Sequence, residues 1–143
     1  MKIIALLSVL LMATNFTYTQ IEPETHIKNF FEQVSKGNLR EAIEVLPTNQ
    51  KFESDTSYAT RLLTRLEIAQ KNSGEYCGYE LIEKNEVSPS FITYTYFIKY
   101  ANAPQRIQFT FYKPKEIWQV INISLNAQQG RQMPNRRQGV GRM

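Results

Sequence analysis

The residues best suited to chemistry in this chain are aromatic. Tyr94, Tyr96 and Tyr100 recur along one predicted strand, and Trp118 follows in the same predicted sheet. Each side chain has a large apolar body and one polar tip, so together they can line a pocket for a small apolar or aromatic ligand. They can equally complete a core with their hydroxyls at its rim, or form a subunit interface. We predict these four as ligand-pocket residues and leave both structural alternatives open.

Acid–base catalysis has few candidate residues here. A general base needs a pKa near the working pH and must reach the substrate proton. The single histidine, His26, falls in the first turn of a predicted helix, which favours an exposed or capping role. Asp55 falls in a polar loop, and three carboxylates on one amphipathic strand are typical of a solvated face: Glu80, Glu83 and Glu86. We therefore predict no catalytic residues.

Metal and cofactor chemistry also lack their usual residues. The single cysteine, Cys77, cannot form an intrachain disulfide. We expect it to be a small buried residue of a strand; the alternatives are a catalytic nucleophile and an intermolecular disulfide. One cysteine and one histidine do not make the usual ligand set of a zinc site. Gly74 and Gly78 are separated by bulky residues and lead into a strand, unlike a phosphate-binding loop. The sequence predicts no metal and no cofactor.

The first nineteen residues have the pattern of a signal peptide. Lys2 supplies a positive charge, residues 3–13 are almost wholly apolar, and residues 15–19 are polar. The apolar run is shorter than the roughly 20 residues that a membrane span needs. No cysteine comes directly after this run, so a lipoprotein anchor has no attachment residue. We expect signal peptide over 1–19, a mature start at Gln20, and a secreted or periplasmic protein with no integral membrane segment after cleavage.

The positive charge of the chain lies mostly outside the predicted domain. The chain has 17 Lys and Arg against 13 Asp and Glu, but Lys2 and four arginines after residue 125 account for five of the bases. Residues 20–125 keep 12 bases and all 13 acids, a net charge of −1. A nucleic-acid-binding domain normally shows a basic face on the fold itself. The sequence predicts no nucleic-acid partner, and a disordered basic tail over 126–143.

Three amphipathic helices are predicted in the first half of the domain. The first has apolar residues at helical spacing and ends at Gly37, which can adopt the left-handed conformation. Asn38 then has the position of an N-cap, with Glu41 three residues later as in a capping box, and Pro47 ends the second helix. A third helix begins near Asp55 and ends at 72–74. Two short helices and one longer one therefore precede the strands.

Four antiparallel strands are predicted in the second half, over about 76–87, 91–100, 106–112 and 116–125. Alternation of apolar and polar residues gives the third strand one dry face. Segregation of apolar from polar residues requires one register, in which the apolar faces of the second and third strands coincide. In the last strand the apolar positions change parity, so we predict a β-bulge near 119–121 that curves the sheet.

Three helices followed by a curved antiparallel sheet resemble the NTF2-like superfamily, the cystatin-like α+β cone. The segment 74–81, the run Tyr94-x-Tyr-x-x-Lys-Tyr100, the segment 109–114 and Trp118 are similar to a family of small uncharacterised secreted bacterial proteins. The resemblance covers residues 24–125. It implies an NTF2-like α+β domain over 20–125, with three N-terminal helices packed on a curved four-stranded antiparallel sheet, an exported location and often a homodimer. It carries over no catalytic residues.

Two functions from different classes follow. The first is an exported non-enzymatic domain that binds a small apolar ligand in the cone or acts as a homodimeric interaction module. The alternative is a cone-fold enzyme of the isomerase or dehydratase kind, whose acid–base residues the sequence does not reveal. The distinguishing observation is whether a carboxylate or an imidazole lines a cavity of the fold. The sequence favours the non-enzymatic function.

Overall fold

The chain places its helices before its strands. A computed structural model describes residues 20–49 and 54–127, in which the helices are α1 (Pro23–Ser35), α2 (Leu39–Glu44) and α3 (Thr56–Ser73). The strands are β1 (Tyr76–Ser88), β2 (Phe91–Tyr100), β3 (Gln105–Tyr112) and β4 (Gln119–Ala127). They form one antiparallel sheet in the order β1-β2-β3-β4. The predicted α+β class and four-stranded antiparallel sheet are confirmed, whereas the predicted signal peptide lies outside the described residues.

Local sequence signals set most helix ends. Pro23 occupies the first turn of α1, where its missing N–H costs no hydrogen bond. The Asp55 carboxylate accepts a hydrogen bond from the Tyr58 N–H at 3.1 Å and so caps α3. The predicted capping box at Asn38 is wrong, because its side-chain amide donates to Gln33 Oε1 in α1 instead. None of the described helices combines the length and apolar character needed to cross a membrane.

The register between β2 and β3 is the predicted one. Tyr94 lies opposite Phe109 and Tyr96 opposite Ile107, so the apolar residues of both strands share the face toward the helices. The predicted bulge in β4 is also present, because Thr110 pairs with Asn122 and the next residue pairs with Val120. The bulge returns the apolar residues of β4 to the helix side. Trp118 lies just before β4, and β4 continues two residues beyond the predicted strand end at 125.

The core forms where α1 crosses the helix-facing side of the sheet. The rings of Phe30 and Phe109 meet edge to face with centroids 5.1 Å apart, and Phe31 meets Tyr96 at 5.3 Å. Phe30, Phe31 and Phe109 are fully buried. Such ring pairs add about 0.5–1.5 kcal/mol each beyond the burial of their area. The aromatic stripe of α1 therefore fixes the helix against β2 and β3.

β1 departs from the predicted alternation. We expected Lys84 on the face opposite Tyr79 and Leu81, but a register shift after Leu81 leaves Ile82 unpaired and places Lys84 opposite Tyr94, on the helix side. A bulge reverses the parity of the residues that follow it, here up to the next register shift after Glu86. The prediction of a buried Cys77 is also wrong: this thiol is exposed, at another register shift of the same strand.

The two edges of the sheet differ. At β4, the Val120 N–H donates to the Pro47 carbonyl at 2.7 Å, and the Tyr58 hydroxyl accepts from the Ile123 N–H at 2.8 Å. The Tyr58 hydroxyl also donates to the Ile123 carbonyl. β1 has no strand on its outer side among residues 20–49 and 54–127, and its pairing with β2 is interrupted by three register shifts. The helices thus cover one edge and leave the other open.

Candidate ligand-binding site

The structure places three of the four predicted pocket residues on β2. Tyr94 is 1% exposed, and Tyr96 and Tyr100 are also buried. Tyr94 packs edge to face on Phe111, and Tyr96 packs in the same way on Phe109. Burial raises the pKa of Tyr96 to about 12, and the Glu24 carboxylate contributes to that increase. These tyrosines are members of the aromatic core beneath α1, and their role in ligand binding stays a prediction.

Tyr100 lies at the far end of β2 from Tyr94. Its ring meets that of Tyr76 edge to face, with centroids 6.3 Å apart. Its hydroxyl is buried and has no hydrogen-bond partner among the described residues, and burial raises its pKa. The nearby Gln105, which follows the β2–β3 turn, donates a hydrogen bond from its side-chain amide to the Ser73 hydroxyl at 2.8 Å. Tyr100 and Trp118 therefore belong to different parts of the molecule.

The fourth predicted residue, Trp118, lines a cleft of about 1080 Å³. The cleft lies between the start of α1, the segment that follows α2, and the loop that joins β3 to β4. Its volume slightly exceeds the range typical of small-molecule sites. The residues that line it are Gln20, Ile21, His26, Pro47, Lys113, Pro114, Lys115, Glu116, Ile117, Trp118 and Gln119.

The Trp118 side chain forms part of the cleft wall. It is 6% exposed, and its indole Nε1 is buried without a hydrogen-bond partner among the described residues. The Lys113 ammonium lies 4.8 Å from the centre of the Trp118 ring, a cation–π distance. A buried N–H that lacks an acceptor costs about 1–3 kcal/mol. The indole is thus held in place with an unmet donor.

A second residue that lines the cleft also has a donor without a hydrogen-bond partner. The Gln20 amide nitrogen, Nε2, is buried and also lacks a partner within the described part of the chain. Native structures leave few buried polar atoms without a hydrogen-bond partner. Two such atoms on residues that line one cleft therefore require an explanation. Both atoms donate and neither accepts. A ligand atom able to accept hydrogen bonds is one explanation.

His26 is a titratable residue of the cleft lining that the sequence did not predict there. We expected it to be exposed or capping, but it is half-buried in the cleft wall, and burial lowers its pKa below the ordinary value of 6.5. The imidazole is therefore mainly neutral at pH 7. Its spacing contains a usable signal: His26 lies four residues before Phe30 and next to Ile27, at the border of the apolar stripe of α1.

An ion pair joins the start of α1 to β1. The Lys84 ammonium lies 2.7 Å from the Glu24 carboxylate and 5.4 Å from the centre of the Tyr94 ring. Burial raises the pKa of Glu24, but hydrogen bonds from Lys84 and Tyr94 outweigh that effect and the net pKa is lowered. Burial and the neighbouring Glu24 carboxylate raise the pKa of Tyr94. These contacts join the first turn of α1 to β1 and β2.

Within residues 20–49 and 54–127, no three His, Cys, Asp or Glu side chains come together as metal ligands would. The charged side chains of the cleft itself are Lys113, Lys115 and Glu116. Sequence reasoning missed these three, as well as Gln20, because a loop between strands shows no periodicity that predicts which side chains face a cavity.

Comparison with protein-family models and with curated proteins finds no significant match to this chain.

Proposed function

We propose that this protein is an exported, non-enzymatic domain of the NTF2-like kind that binds a small ligand in the cleft beside Trp118. The signal-peptide pattern of residues 1–19 supports export to the periplasm or the medium. Helices that precede a bulged four-stranded meander support the NTF2-like assignment. The fold alone does not imply a function, so the proposal depends on the cleft.

The observation that carries the proposal is the unpartnered indole N–H of Trp118. A tryptophan in a core normally directs its N–H to an acceptor when it is buried. Here the donor is buried in the wall of a cleft, together with the Gln20 amide. Apolar side chains of the same cleft, Ile21, Pro47 and Ile117, offer contact to a hydrocarbon body. The site therefore suits a ligand with an apolar body and at least one acceptor atom.

Intrinsic fluorescence tests this proposal directly, because Trp118 is the only tryptophan of the chain. Purified protein is titrated with a panel of small amphiphilic compounds while the tryptophan emission is recorded, and thermal shift is measured in parallel. Binding in the cleft changes the emission and raises the melting temperature for the same compounds. Compounds that raise the melting temperature without changing Trp118 emission would place the ligand elsewhere.

A matched pair of variants checks the location. Ile117→Asp puts a charge into the apolar part of the cleft at a side chain that is 70% exposed, so the fold tolerates it while ligand binding falls. Ile68→Asp, at an exposed position of α3 outside the cleft, serves as the control. The proposed site would be contradicted if both variants lost binding equally, or if neither variant lost it.

A cone-fold enzyme remains the second candidate, on the observation that an imidazole and a carboxylate line the cleft. His26 is neutral near pH 7, the form in which an imidazole acts as a general base, and Glu116 lies in the same lining. If the domain only binds, neither the wild type nor His26→Gln converts a bound compound. Turnover of a bound compound by the wild type that disappears in His26→Gln would support the enzyme instead.

We also propose self-association through the open edge of β1. Four of the nine large apolar side chains that are exposed in the described residues belong to this strand, namely Tyr79, Leu81, Ile82 and Val87. An uncovered strand edge can pair with another strand, and a second copy of the chain presents the same edge. This proposal provides the homodimer expected from the resemblance.

A further inference from the structure

We propose that the ligand of the Trp118 cleft is a small organic anion, a carboxylate attached to a compact hydrocarbon body. This inference rests on the proposed binding function and names its ligand class. It is argued from the direction of the unmet hydrogen bonds, from the charges of the lining and from the apolar walls.

The unmet hydrogen bonds select an acceptor. Trp118 Nε1 and Gln20 Nε2 are both donors, and both are buried without partners in the described part of the chain. An ionised carboxylate only accepts, and its two oxygens can accept from two separate donors. A hydroxyl or an amine would bring a donor of its own into a wall that already has a surplus of donors. Hydrogen bonds to a charged acceptor are also the stronger ones.

The charges of the lining favour the same ligand. Lys113 and Lys115 contribute two ammonium groups, against the single carboxylate of Glu116. The ion pairs formed within residues 20–49 and 54–127 involve Lys36, Arg61 and Lys84, so neither lysine of the cleft has its charge neutralised there. The Lys113 ammonium is held at 4.8 Å over the Trp118 ring, close to the unmet indole donor. Ammonium groups and hydrogen-bond donors without partners thus line the same cleft.

The remaining lining argues for an organic body rather than a bare inorganic anion. Ile21, Pro47, Pro114 and Ile117 border the cleft, and Ile21 and Ile117 are exposed large apolar side chains. A volume of about 1080 Å³ is far larger than a phosphate or sulfate ion needs. Burial of hydrocarbon against these side chains adds about 25 cal/mol per Å² of apolar surface removed from water. A ligand with an apolar body and a carboxylate can contact both the apolar side chains and the hydrogen-bond donors that line the cleft.

The test compares two probes that differ only in the polar group, hexanoate and 1-hexanol. Each is titrated into the purified protein with Trp118 emission and calorimetry as readouts. We expect hexanoate to bind at least about tenfold more tightly than 1-hexanol, the effect of one charge-assisted hydrogen bond. We also expect its binding to weaken as sodium chloride is raised, and that of 1-hexanol to change little. Inorganic phosphate should bind more weakly than hexanoate.

Three variants locate the effect. Lys113→Met keeps the hydrocarbon stem and removes the charge, and it should weaken hexanoate binding about two- to fivefold without affecting 1-hexanol. Trp118→Phe removes the indole donor and should reduce hexanoate binding about tenfold by calorimetry. Lys99→Met, at an exposed lysine on the opposite face of β2, is the control and should change neither probe. Melting temperatures confirm that each variant is folded.

The outcomes separate the two proposals. If 1-hexanol binds as tightly as hexanoate, the anion inference is overturned and the proposed binding function stands. If Lys99→Met weakens hexanoate binding as much as Lys113→Met does, the selectivity comes from the general charge of the protein and the inference fails. If neither probe changes Trp118 emission or releases heat, and the wider panel does not bind either, the proposed function itself is wrong.

Discussion

At the residue scale, a few aromatic rings carry the packing between α1 and the sheet. Phe109 is central, because it contacts the rings of Phe30, Phe31 and Tyr96 and is fully buried. These ring pairs occupy the space between α1 and the helix-facing side of β2 and β3. The cleft therefore forms at the margin of this core, where the β3–β4 loop replaces packed strand residues with Trp118 and its neighbours.

Phe109→Ala should be strongly destabilising. Removal of a fully buried phenyl ring loses its transfer free energy and leaves a cavity, which together cost about 3–5 kcal/mol. Val87→Ala, at a side chain that is 64% exposed, should change the free energy of unfolding by less than about 0.5 kcal/mol. Urea denaturation of both variants measures the difference. Similar stabilities for the two variants would contradict the packing described here.

His26 should make stability depend on pH above the range in which carboxylates titrate. Because burial lowers its pKa in the folded state, the unfolded chain binds a proton at higher pH than the folded chain does. The free energy of unfolding should therefore fall as the pH drops from about 6.5 toward the folded-state pKa. His26→Gln should flatten this slope in denaturation curves recorded between about pH 7.5 and 5. An unchanged slope in the variant would assign it to other groups.

At the element scale, contacts between neighbouring elements close one edge of the sheet and fix the start of α1. The first turn of α3 presents Tyr58 to the outer edge of β4, and the segment after α2 pairs with β4 at Val120. On the other side of the molecule, the bulge in β1 turns Lys84 toward Glu24 in α1. Each contact joins elements that are far apart in the chain.

Tyr58→Phe should loosen the contact between α3 and β4. The variant keeps the ring but leaves the N–H and the carbonyl of Ile123 without their side-chain partner, at a cost of about 1–2 kcal/mol. Tyr112→Phe removes a hydroxyl from an exposed tyrosine of β3 and should be nearly neutral. Amide hydrogen exchange should show faster exchange at Ile123 in the first variant alone. Unchanged protection at Ile123 would show that the hydroxyl contributes little there.

Glu24→Gln should remove a separate, more acidic part of the pH dependence. Hydrogen bonds from Lys84 and Tyr94 lower the pKa of Glu24 below its ordinary value of 4.5 despite its partial burial. Its contribution to stability is therefore complete above about pH 4.5 and is lost as the pH falls through the folded-state pKa. Acid denaturation should begin with a shallower slope in Glu24→Gln, while the slope near pH 6 stays the same. A change near pH 6 would contradict the assignment.

At the scale of the whole molecule, the sheet is asymmetric. Within residues 20–49 and 54–127, α3 and the segment 47–48 cover β4, whereas β1 presents an open edge with exposed apolar side chains. The cleft lies at the β3–β4 end of the sheet, away from that edge. The proposed ligand binding and the proposed self-association therefore use different surfaces, and a variant at one should leave the other intact.

Ile82→Glu should abolish self-association. Ile82 is exposed at the bulge of β1, so a carboxylate there adds like-charge repulsion between two copies at little cost to the monomer fold. Sedimentation velocity of the chain from Gln20 onward should show a dimer for the wild type and a monomer for the variant. Hexanoate binding should be the same in both. A monomeric wild type at high concentration would overturn the proposed dimer.

The sequence determined the helices, the register of the meander and the bulge in β4. Apolar spacing of 3.6 or 2 residues reports which side of an element is buried, and only one register segregates the apolar residues of β2 and β3. Tyr94, Tyr96 and Tyr100 could thus be placed on the correct face from the pattern alone. The α+β class follows from the same local rules.

Tertiary structure alone decided the rest. The bulge after Leu81 moved Lys84 to the helix side, and the packing of α1 brought His26 beside a loop that lies some ninety positions later in the chain. No periodicity of the sequence predicts these long-range contacts, because they depend on how the helices cross the sheet and on where a strand shifts its register. A cleft is made of ends and loops, which have no repeating pattern. That is why the sequence pattern could not name Gln20, His26 and Lys113 as residues that line the same cleft as Trp118.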